Sequence, residues 1–585
     1  MNKSRKPREN FFKTSDGQNI FYRAWPAAGQ KTDKAFILFH RGHEHGGRLQ
    51  HIVDELDMPD VPMFAWDARG HGKTEGPRGY SPSAARSVRD MDEFVKYISS
   101  KYSTPAENIL IIAQSISAVY AAAWAHDYAP KIRGLILASP AFSVKLYVPF
   151  ACEGISLWQK ILGRHFYVSS YVKAKFLTHD AQRIKSFNED TLISKSIASN
   201  ILLGLYHLGK RVVSDARAIK IPVQMFISGS DFVVHHKPQH QFYKNLGSAV
   251  KEKYIMEGFY HDTLGEKDRK IVFDKMRNFI DLIYAAPYAG HDYKHEDIWG
   301  PSADEYRELK AALPLFSLKG IFYRCFKAGL STLGRLSGGV NLGVKTGFNS
   351  GGTLDYVYKN KVSGRLLIGR LFDKMYLTSP GWTGIRRRKI NLEDMIKKAA
   401  ADLKLKNMPV RILDVAAGRG RYILDALGQT DGVDSVLLRD YNPDNVNEGL
   451  KLIKERGLEN KIKFETADAF DVNATASVTP KPTLAIVSGF YEIFPSNDGV
   501  KKSLEGISRA VEKGGLLIYT AQPWHPQLEL IARTLRDLES PDKLWVMRAR
   551  AQGEMDALVE AAGFIKREEI IDEWGMFSVS TAEKL

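Results

Sequence analysis

The 585-residue sequence is poor in cysteine and lacks a long apolar run. Its two cysteines, Cys152 and Cys325, are far apart in sequence, which gives neither a disulfide framework nor the spacing of a metal site. No stretch of about 18 apolar residues is present. The basic N-terminus runs into polar sequence where a secretory signal would have an apolar segment. These absences predict a cytoplasmic protein that holds no metal.

Acidic residues are scarce between residues 309 and 391, where fifteen Lys or Arg are accompanied only by Asp355 and Asp373. Most of the net charge of +16 therefore belongs to this segment. Such an excess predicts an anionic partner. Three partners are possible: the inner face of a membrane, bound peripherally, a phosphorylated substrate, or nucleic acid. Nucleic acid is disfavoured, because no recognised reader motif accompanies the charge.

The length exceeds what one hydrophobic core usually organises, so at least two domains are expected. Strand and helix patterns alternate over residues 1–286 and again over 345–585, and a basic, glycine-containing linker or extension is predicted at 287–344. Within the first part the alternation breaks down over about 141–218, which predicts a helical cap. The predicted fold class is α/β, and the alternation in the first domain predicts a parallel, doubly wound sheet.

Glycines are missing from the stretch on which the first domain centres. A predicted strand at 110–113 runs into Ser115 and then into an Ala-rich helix. Two residues before and after the serine stand Ala113 and Ser117, where a nucleophile elbow usually has glycines. Small side chains at these positions permit the sharp strand-to-helix turn. Taken alone, the motif is equally compatible with a helix N-cap or a packed hydroxyl.

Two further polar residues follow predicted strands of the first domain. Asp231 ends the predicted strand at 223–231, and His261 comes soon after the strand at 253–256. With Ser115 they give the order serine, acid, histidine that this fold class uses. In the predicted chemistry His261 takes the serine proton, Asp231 orients the imidazole, and the N–H groups of Gly42 and Ile116 bind the oxyanion. Other residues remain alternatives for these roles: Asp262, His235 and His236.

These residues, with the turn at 40–48 and the loop at 67–79, resemble the monoacylglycerol lipase and lysophospholipase branch of the α/β hydrolases. The resemblance covers nearly all of residues 10–285. It implies a serine esterase whose substrate is a small-molecule or lipid ester, with a role in lipid metabolism. Arg41 and His43 stand where glycines are usual in the oxyanion turn. A catalytically degenerate domain that only binds a substrate for the second half is therefore the alternative interpretation.

The second domain begins with a strand at 409–415 that runs into a glycine-containing loop. Glycines let the backbone approach a ligand closely between strand and helix. Two later strand ends supply carboxylates at the spacing expected for a nucleotide-like ligand. The predicted cofactor residues are Asp414, Ala416, Gly418 and Gly420 at the first strand end, Asp440 at the second and Asp468 at the third. An NAD site is the alternative.

The loop and the three acidic strand ends resemble a class I methyltransferase over roughly 345–585, and locally a methyltransferase family fused behind α/β hydrolases in bacteria. The resemblance implies a Rossmann-like fold that binds S-adenosylmethionine. The loop would meet the amino acid portion, Asp440 the ribose and Asp468 the adenine. The methyl acceptor stays unknown, and three residues are candidates for its side of the site by position alone: Tyr491, Glu492 and His525.

Two expectations concern the segment before the first strand of the second domain. Residues 315–348 contain glycine every few positions, which disfavours a stable amphipathic helix on a membrane and favours packing onto the second domain. Residues 381–388 are predicted as a basic turn, followed by an amphipathic helix over 391–403 with Asn391 as its N-cap.

Overall fold

The computed structural model describes residues 4–29, 32–170, 172–428, 430, 432–536 and 544–585. The chain divides into two compact units, Met1–His291 and Asp292–Leu585. Residues 1–3 of the basic N-terminal segment lie outside the described residues. The segment 292–344, most of the predicted linker or extension, belongs to the second unit.

Within the described residues the first unit is centred on an eight-stranded sheet. Its first two strands along the chain extend one edge antiparallel, and the other six are parallel. The central strand Ile109–Gln114 is buried along its whole length, as expected when both faces of a parallel sheet are covered. In spatial order the strands are β1 (Arg8–Lys13), β2 (Asn19–Trp25), β4 (Met63–Trp66), β3 (Ala35–Phe39), β5 (Ile109–Gln114), β6 (Gly134–Ala138), β9 (Val223–Ser228) and β10 (Lys251–Met256).

Helices flank this sheet, and a separate group of elements lies between β6 and β9, where the cap is predicted. The sheet helices are α1 (Gln50–Glu55), α2 (Ala84–Tyr102), α3 (Ile116–Asp127), α7 (His236–Asn245) and α8 (Lys270–Tyr284). The group between β6 and β9 comprises α4 (Ala151–Leu162), α5 (Ala181–Glu189), α6 (Ser199–Ser214) and the antiparallel pair β7 (Tyr167–Ser169) and β8 (Ser196–Ala198).

The second unit contains a seven-stranded sheet among its described residues. Five strands are parallel, and the last two along the chain form an antiparallel hairpin at one edge. In spatial order the strands are β13 (Ile462–Thr466), β12 (Ser435–Asp440), β11 (Arg411–Val415), β14 (Leu484–Val487), β15 (Leu516–Ala521), β17 (Ser578–Lys584) and β16 (Phe564–Ile571). The strand order reverses between β11 and β14, and such a switch point is where doubly wound sheets bind ligands.

Helices precede and flank the second sheet. Those before it are α9 (Glu296–Trp299), α10 (Pro301–Lys310), α11 (Leu318–Ser331), α12 (Gly338–Thr346), α13 (Gly351–Lys359), α14 (Leu366–Leu377) and α15 (Pro380–Leu405). Those within it are α16 (Arg421–Leu427), α17 (Pro443–Glu455), α18 (Val472–Ala476), α19 (Asn497–Ala510), α20 (Leu528–Thr534) and α21 (Gln552–Ala561).

Helix α15 corrects one expectation. It runs without a break through the predicted basic turn and through Asn391, so the prediction of Asn391 as an N-cap is wrong. Pro380 stands at its start, where the missing proline N–H leaves no hydrogen bond unmade. Trp382 and Arg388 are buried on the same helix. Burial of these side chains extends the helix into a segment whose glycines and charges suggested a turn.

The glycine-rich segment forms helices as well. Helix α11 contains Gly320 and Gly329 and packs against α20, where Lys319 lies 2.7 Å from Glu529. On α14 the apolar side chains of Leu367 and Leu371 are 82% and 57% exposed. No helix of the described residues is long and apolar enough to cross a membrane. Peripheral contact with an anionic membrane stays a prediction.

The helices before the second sheet share one buried carboxylate, Asp373 on α14. It accepts hydrogen bonds from the Ser337 hydroxyl at 2.6 Å, the Gly339 N–H at 2.8 Å, the Ser363 N–H at 2.9 Å and the Tyr356 hydroxyl at 2.5 Å. Burial raises the pKa of Asp373, but these donors outweigh burial and hold it below its ordinary value. The carboxylate therefore joins the start of α12 to α14 and to the loop between α13 and α14.

We predict that Asp373→Ala loosens α12–α14 selectively. Each buried donor left without a partner costs about 1–3 kcal/mol, so the local opening energy should fall by about 3 kcal/mol or more. Hydrogen-exchange mass spectrometry should show much faster exchange over 338–377 and unchanged exchange in β11–β15. Asp394→Ala, which removes an exposed carboxylate of α15, is the control. Equal protection in both variants would contradict the role of Asp373.

Candidate functional site

Ser115 lies in a sharp turn between β5 and α3. Its backbone has φ 53° and ψ −116°, a left-handed conformation that non-glycine residues rarely adopt outside constrained sites. Ala113 is fully buried beside this turn. The hydroxyl of Ser117 donates to the carbonyl of His40 at 2.5 Å. The two residues that replace the usual glycines thus fit the turn, and Ser117 also ties it to the loop after β3.

The structure brings the three predicted catalytic side chains into one hydrogen-bonded chain. His261 Nε2 lies 2.8 Å from Ser115 Oγ, and His261 Nδ1 lies 2.8 Å from Asp231 Oδ2. The other oxygen of Asp231 accepts from the N–H groups of Val233 and Val234. Burial raises the pKa of Asp231, but His261 and these N–H donors together hold it below its ordinary value. The acid is therefore an ionised, fixed partner for the imidazole near neutral pH.

The predicted oxyanion donors lie side by side next to Ser115. A Cβ added to Gly42 would stand 2.7 Å from Cδ1 of Ile116, so the two residues are in close contact. Among the described residues neither N–H has a hydrogen-bond acceptor. Two free N–H groups beside a serine hydroxyl are the arrangement that a developing oxyanion needs.

Arg41, which stands at a usual glycine position, is buried and doubly paired. Its guanidinium forms two 2.8 Å hydrogen bonds to Glu44, and Nη2 lies 3.0 Å from Asp262 Oδ2. The same carboxylate accepts from Arg183 of α5 at 3.0 Å. Arg41 therefore joins the turn that contains Gly42 to the loop that contains His261.

The loop after β3 also contacts the segment between β6 and β9. His43 adopts a φ of 68°, and its carbonyl accepts from the Ser194 N–H at 2.9 Å. His45 Nε2 lies 2.9 Å from Asp190 Oδ2. The two predicted histidine alternatives, His235 and His236, begin α7 and take no part in the hydrogen-bonded chain of Ser115. Asp262, the acid alternative, pairs with arginines instead of His261.

The glycine loop of the second unit follows β11 at the switch point of its sheet. Ala416, Gly418 and Gly420 all have positive φ, near 60–68°. A Cβ at Gly420 would stand 2.6 Å from Leu438, whereas a Cβ at Gly418 would meet nothing within 4 Å. Gly420 is therefore required by packing, and Gly418 faces open space where a ligand can approach the backbone.

The three predicted carboxylates of this site differ in availability. Asp440 accepts from the N–H of Gly418 at 2.8 Å and from Asn442 and Asn445, and a carboxylate has about four lone-pair sites, so one acceptor position is left. Asp468 is exposed and accepts from the Phe470 N–H. Asp414 is fully buried, and both its oxygens lie within 2.6 Å of the Tyr422 hydroxyl. Asp414 therefore supports α16 through Tyr422, and its carboxylate is not on the open side of the loop.

Several polar side chains meet at the ends of β14 and β15, and sequence reasoning missed two of them, Gln522 and Arg388. Glu492, proposed earlier by position alone, accepts from the Thr520 hydroxyl at 2.8 Å. Gln522 is buried, and its Nε2 has no hydrogen-bond partner among the described residues. Arg388 of α15 reaches the same edge, with Nη1 3.5 Å from Glu492 Oε1. Its burial could be predicted only if the helix predicted at 391–403 were extended towards the N-terminus. Arg388 would then lie three residues before Asn391, on the same buried face of the helix.

The fold and the site geometry define two classes of domain in one chain. The first unit is an α/β hydrolase with a serine, an acid and a histidine in contact, and the second is a Rossmann-like domain of the class I methyltransferase type. A family model described as "Serine aminopeptidase, S33" matches residues 30–268. A model described as "Putative methyltransferase" matches residues 276–584, more than half of the chain, and the chain belongs to that family. The predicted order of the two domains is confirmed.

Individual relatives are similar to this chain over different spans. "Uncharacterized protein YnbC" of Escherichia coli (strain K12) is 54% identical over 582 residues, which cover 100% of this chain and 99% of that protein. A monoacylglycerol lipase of Mycolicibacterium smegmatis is 21% identical over 277 residues, 46% of this chain and 96% of that protein. A solved soluble variant of the Saccharomyces cerevisiae monoglyceride lipase is 18% identical, with a TM-score of 0.43 over 47% of this chain and 96% of that chain.

We predict that Asp262→Asn destabilises the first unit by about 3–5 kcal/mol, because it leaves Arg41 and Arg183 buried without their shared anion. Burial raises the pKa of Asp262, but Arg183 and Arg41 outweigh burial and lower it. A lowered carboxyl pKa gives stability that is complete above the ordinary value of 3.8 and is lost as the pH falls below it.

Thermal unfolding should therefore show a lower melting temperature for Asp262→Asn at pH 7 and a difference from wild type that narrows below pH 4. Asp274→Asn, at an exposed ion pair with Arg277, should melt like wild type. A pH-independent difference would show that the charge of Asp262 is not what stabilises the unit.

Proposed function

We propose that this protein is a bifunctional enzyme, in which the first unit hydrolyses an acyl ester with a serine nucleophile and the second transfers a methyl group from S-adenosylmethionine. The observation that carries the hydrolase proposal is the continuous chain of 2.8 Å contacts from Asp231 through His261 to Ser115. The free N–H groups of Gly42 and Ile116 beside it supply a second requirement of acyl transfer.

In the proposed hydrolysis, Ser115 Oγ attacks the ester carbonyl carbon while His261 Nε2 takes the hydroxyl proton. The N–H groups of Gly42 and Ile116 bind the oxyanion of the tetrahedral intermediate. Asp231 stabilises the imidazolium, which then protonates the departing alcohol. Water, deprotonated by the same histidine, attacks the acyl-serine and releases the carboxylic acid.

A cavity next to the oxyanion turn supports an ester with an uncharged, apolar part. Its lining includes Trp66, Ile116, Tyr120 and Ile201, and its charged members include Arg69 and Asp90, which pair with each other at 2.5 Å. His43 also lines this cavity, and burial together with His71 lowers its pKa to about 4, so the ring is neutral at pH 7. A lipid-like acyl ester therefore suits this pocket better than a highly charged substrate. The monoacylglycerol lipase activity in a relative's name supports the same substrate class.

We predict that the wild-type chain hydrolyses monoacylglycerols and p-nitrophenyl esters and that Ser115→Ala lowers kcat by about 10⁴-fold or more. A fluorophosphonate probe should label wild type, because Ser115 Oγ displaces fluoride from phosphorus, and should not label Ser115→Ala. Ser100→Ala, at an exposed serine of α2, should keep both labelling and activity. An unlabelled wild type would support the alternative of a substrate-binding domain without catalysis.

The second site fits S-adenosylmethionine on three observations. Space at the Cβ position of Gly418 lets a ligand approach the loop, one acceptor position of Asp440 remains for a ribose hydroxyl, and the exposed carboxylate of Asp468 can accept from an adenine amino group. When bound, the cofactor supplies an electrophilic methyl group on its sulfonium. Asp440 also orients the loop, because it holds the Gly418 N–H. The methyl acceptor stays open.

We predict that isothermal titration calorimetry detects binding of S-adenosylmethionine to the full chain and that Asp440→Ala weakens it about 10- to 100-fold, the effect of losing hydrogen bonds to a charged group. Asp444→Ala, at an exposed carboxylate four residues further on, is the control and should bind like wild type. Binding of NAD instead of S-adenosylmethionine by the wild type would contradict the methyltransferase proposal.

A further inference from the structure

Arg388 of α15 is a buried cation whose hydrogen-bonding capacity is left unused. Its side chain is 8% exposed, and its Cζ lies 5.0 Å from the centroid of the Phe577 ring. Among the described residues the guanidinium forms no hydrogen bond, and the nearest carboxylate oxygen, Glu492 Oε1, is 3.5 Å from Nη1. A guanidinium has five N–H donors. None of its nitrogens is a fully buried atom without a partner, so the donors face accessible space from which a ligand can supply acceptors.

Glu492 leaves the complementary capacity unused. Its Oε1 accepts from the Thr520 hydroxyl, but Oε2 is buried and has no donor among the described residues. Thr520 also accepts from the Gly489 N–H at 2.8 Å, which fixes the carboxylate relative to the end of β14. A fixed cation and a fixed anion thus stand side by side without a direct hydrogen bond. Such a pair suits a ligand that brings one anionic and one cationic group.

The position of this pair within the sheet limits what that ligand can be. Arg388 Nη2 lies 2.6 Å from where a Cβ of Gly489 would stand, so the guanidinium contacts the second residue after β14. Strand β14 is the parallel neighbour of β11. The loop with Gly418, where the amino acid portion of the cofactor is expected, follows β11. The charged pair therefore flanks the switch point on the same carboxyl edge as that loop.

We infer that Arg388 and Glu492 bind the α-amino acid end of S-adenosylmethionine. The guanidinium donates to the carboxylate of that group, in the forked geometry that arginine uses for carboxylates. Oε2 of Glu492 accepts from its ammonium. This inference rests on the proposed cofactor, and it assigns to α15, a helix that precedes the sheet, a direct part in cofactor binding.

The test compares two ligands that differ only in the group concerned. S-adenosylhomocysteine contains the amino acid end, whereas 5′-methylthioadenosine has the adenosine and sulfur without it. In calorimetry on the full chain, Arg388→Met should weaken S-adenosylhomocysteine about 10- to 100-fold and leave 5′-methylthioadenosine within about 2-fold. Glu492→Gln, which keeps an acceptor for Thr520, should show the same selectivity. Arg387→Met, at the exposed neighbour on α15, is the matched control.

Any other result contradicts the inference, either alone or together with the cofactor proposal. If Arg388→Met binds S-adenosylhomocysteine like wild type, the pair serves another ligand and the inference fails while the cofactor proposal stands. If it weakens both ligands equally, Arg388 has a structural role only, and the inference again fails alone. If wild type binds neither ligand, the cofactor proposal and the inference fail together.

Discussion

The ion pair between Arg41 and Asp262 connects the parts of the hydrolase site that must stay in register. Arg41 precedes Gly42, the proposed oxyanion donor, and Asp262 follows His261, so the pair joins the proposed oxyanion turn to the loop of the proposed general base. Arg183 of the cap region pairs with the same carboxylate at 2.9 Å. Because removal of one partner leaves an uncompensated buried charge, the geometry of the site and the attachment of α5 depend on one another.

The sequence was sufficient to predict which three side chains form the hydrogen-bonded chain, but not the charges that hold them. Ser115, Asp231 and His261 each follow a strand, and parallel strands bring their carboxyl ends to one edge of the sheet, so strand order alone brings the three together. Arg41 and Asp262 lie on loops, where no periodicity specifies which side chains meet. The sequence showed only that Arg41 replaces a usual glycine, and the structure shows that its side chain pairs with Asp262.

In the second unit the sequence predicted the sheet and its glycine loop, and it failed where tertiary packing overrides local preference. Glycines and clustered arginines suggested a turn at 381–388, yet buried Trp382 and Arg388 keep α15 helical there. The same error hid Arg388 from the predicted site. For Asp414 the position in the motif suggested a contact with the ligand. In the structure its carboxylate is buried and contacts the Tyr422 hydroxyl, which gives it a supporting role.

Buried charges in the two units therefore differ in how completely they are paired. Arg41 has two carboxylates within 3.0 Å, and its Nη1 alone is without a partner among the described residues, so its charge stabilises the protein's own loops. Arg388 has one carboxylate at 3.5 Å and no hydrogen bond among the described residues. Desolvation opposes the burial of both cations, and a ligand carboxylate would offset that cost for Arg388, which has the weaker pairing. On this argument the weakly paired charge at the switch point suits the proposed binding role, whereas the charge with two close carboxylates belongs to the scaffold.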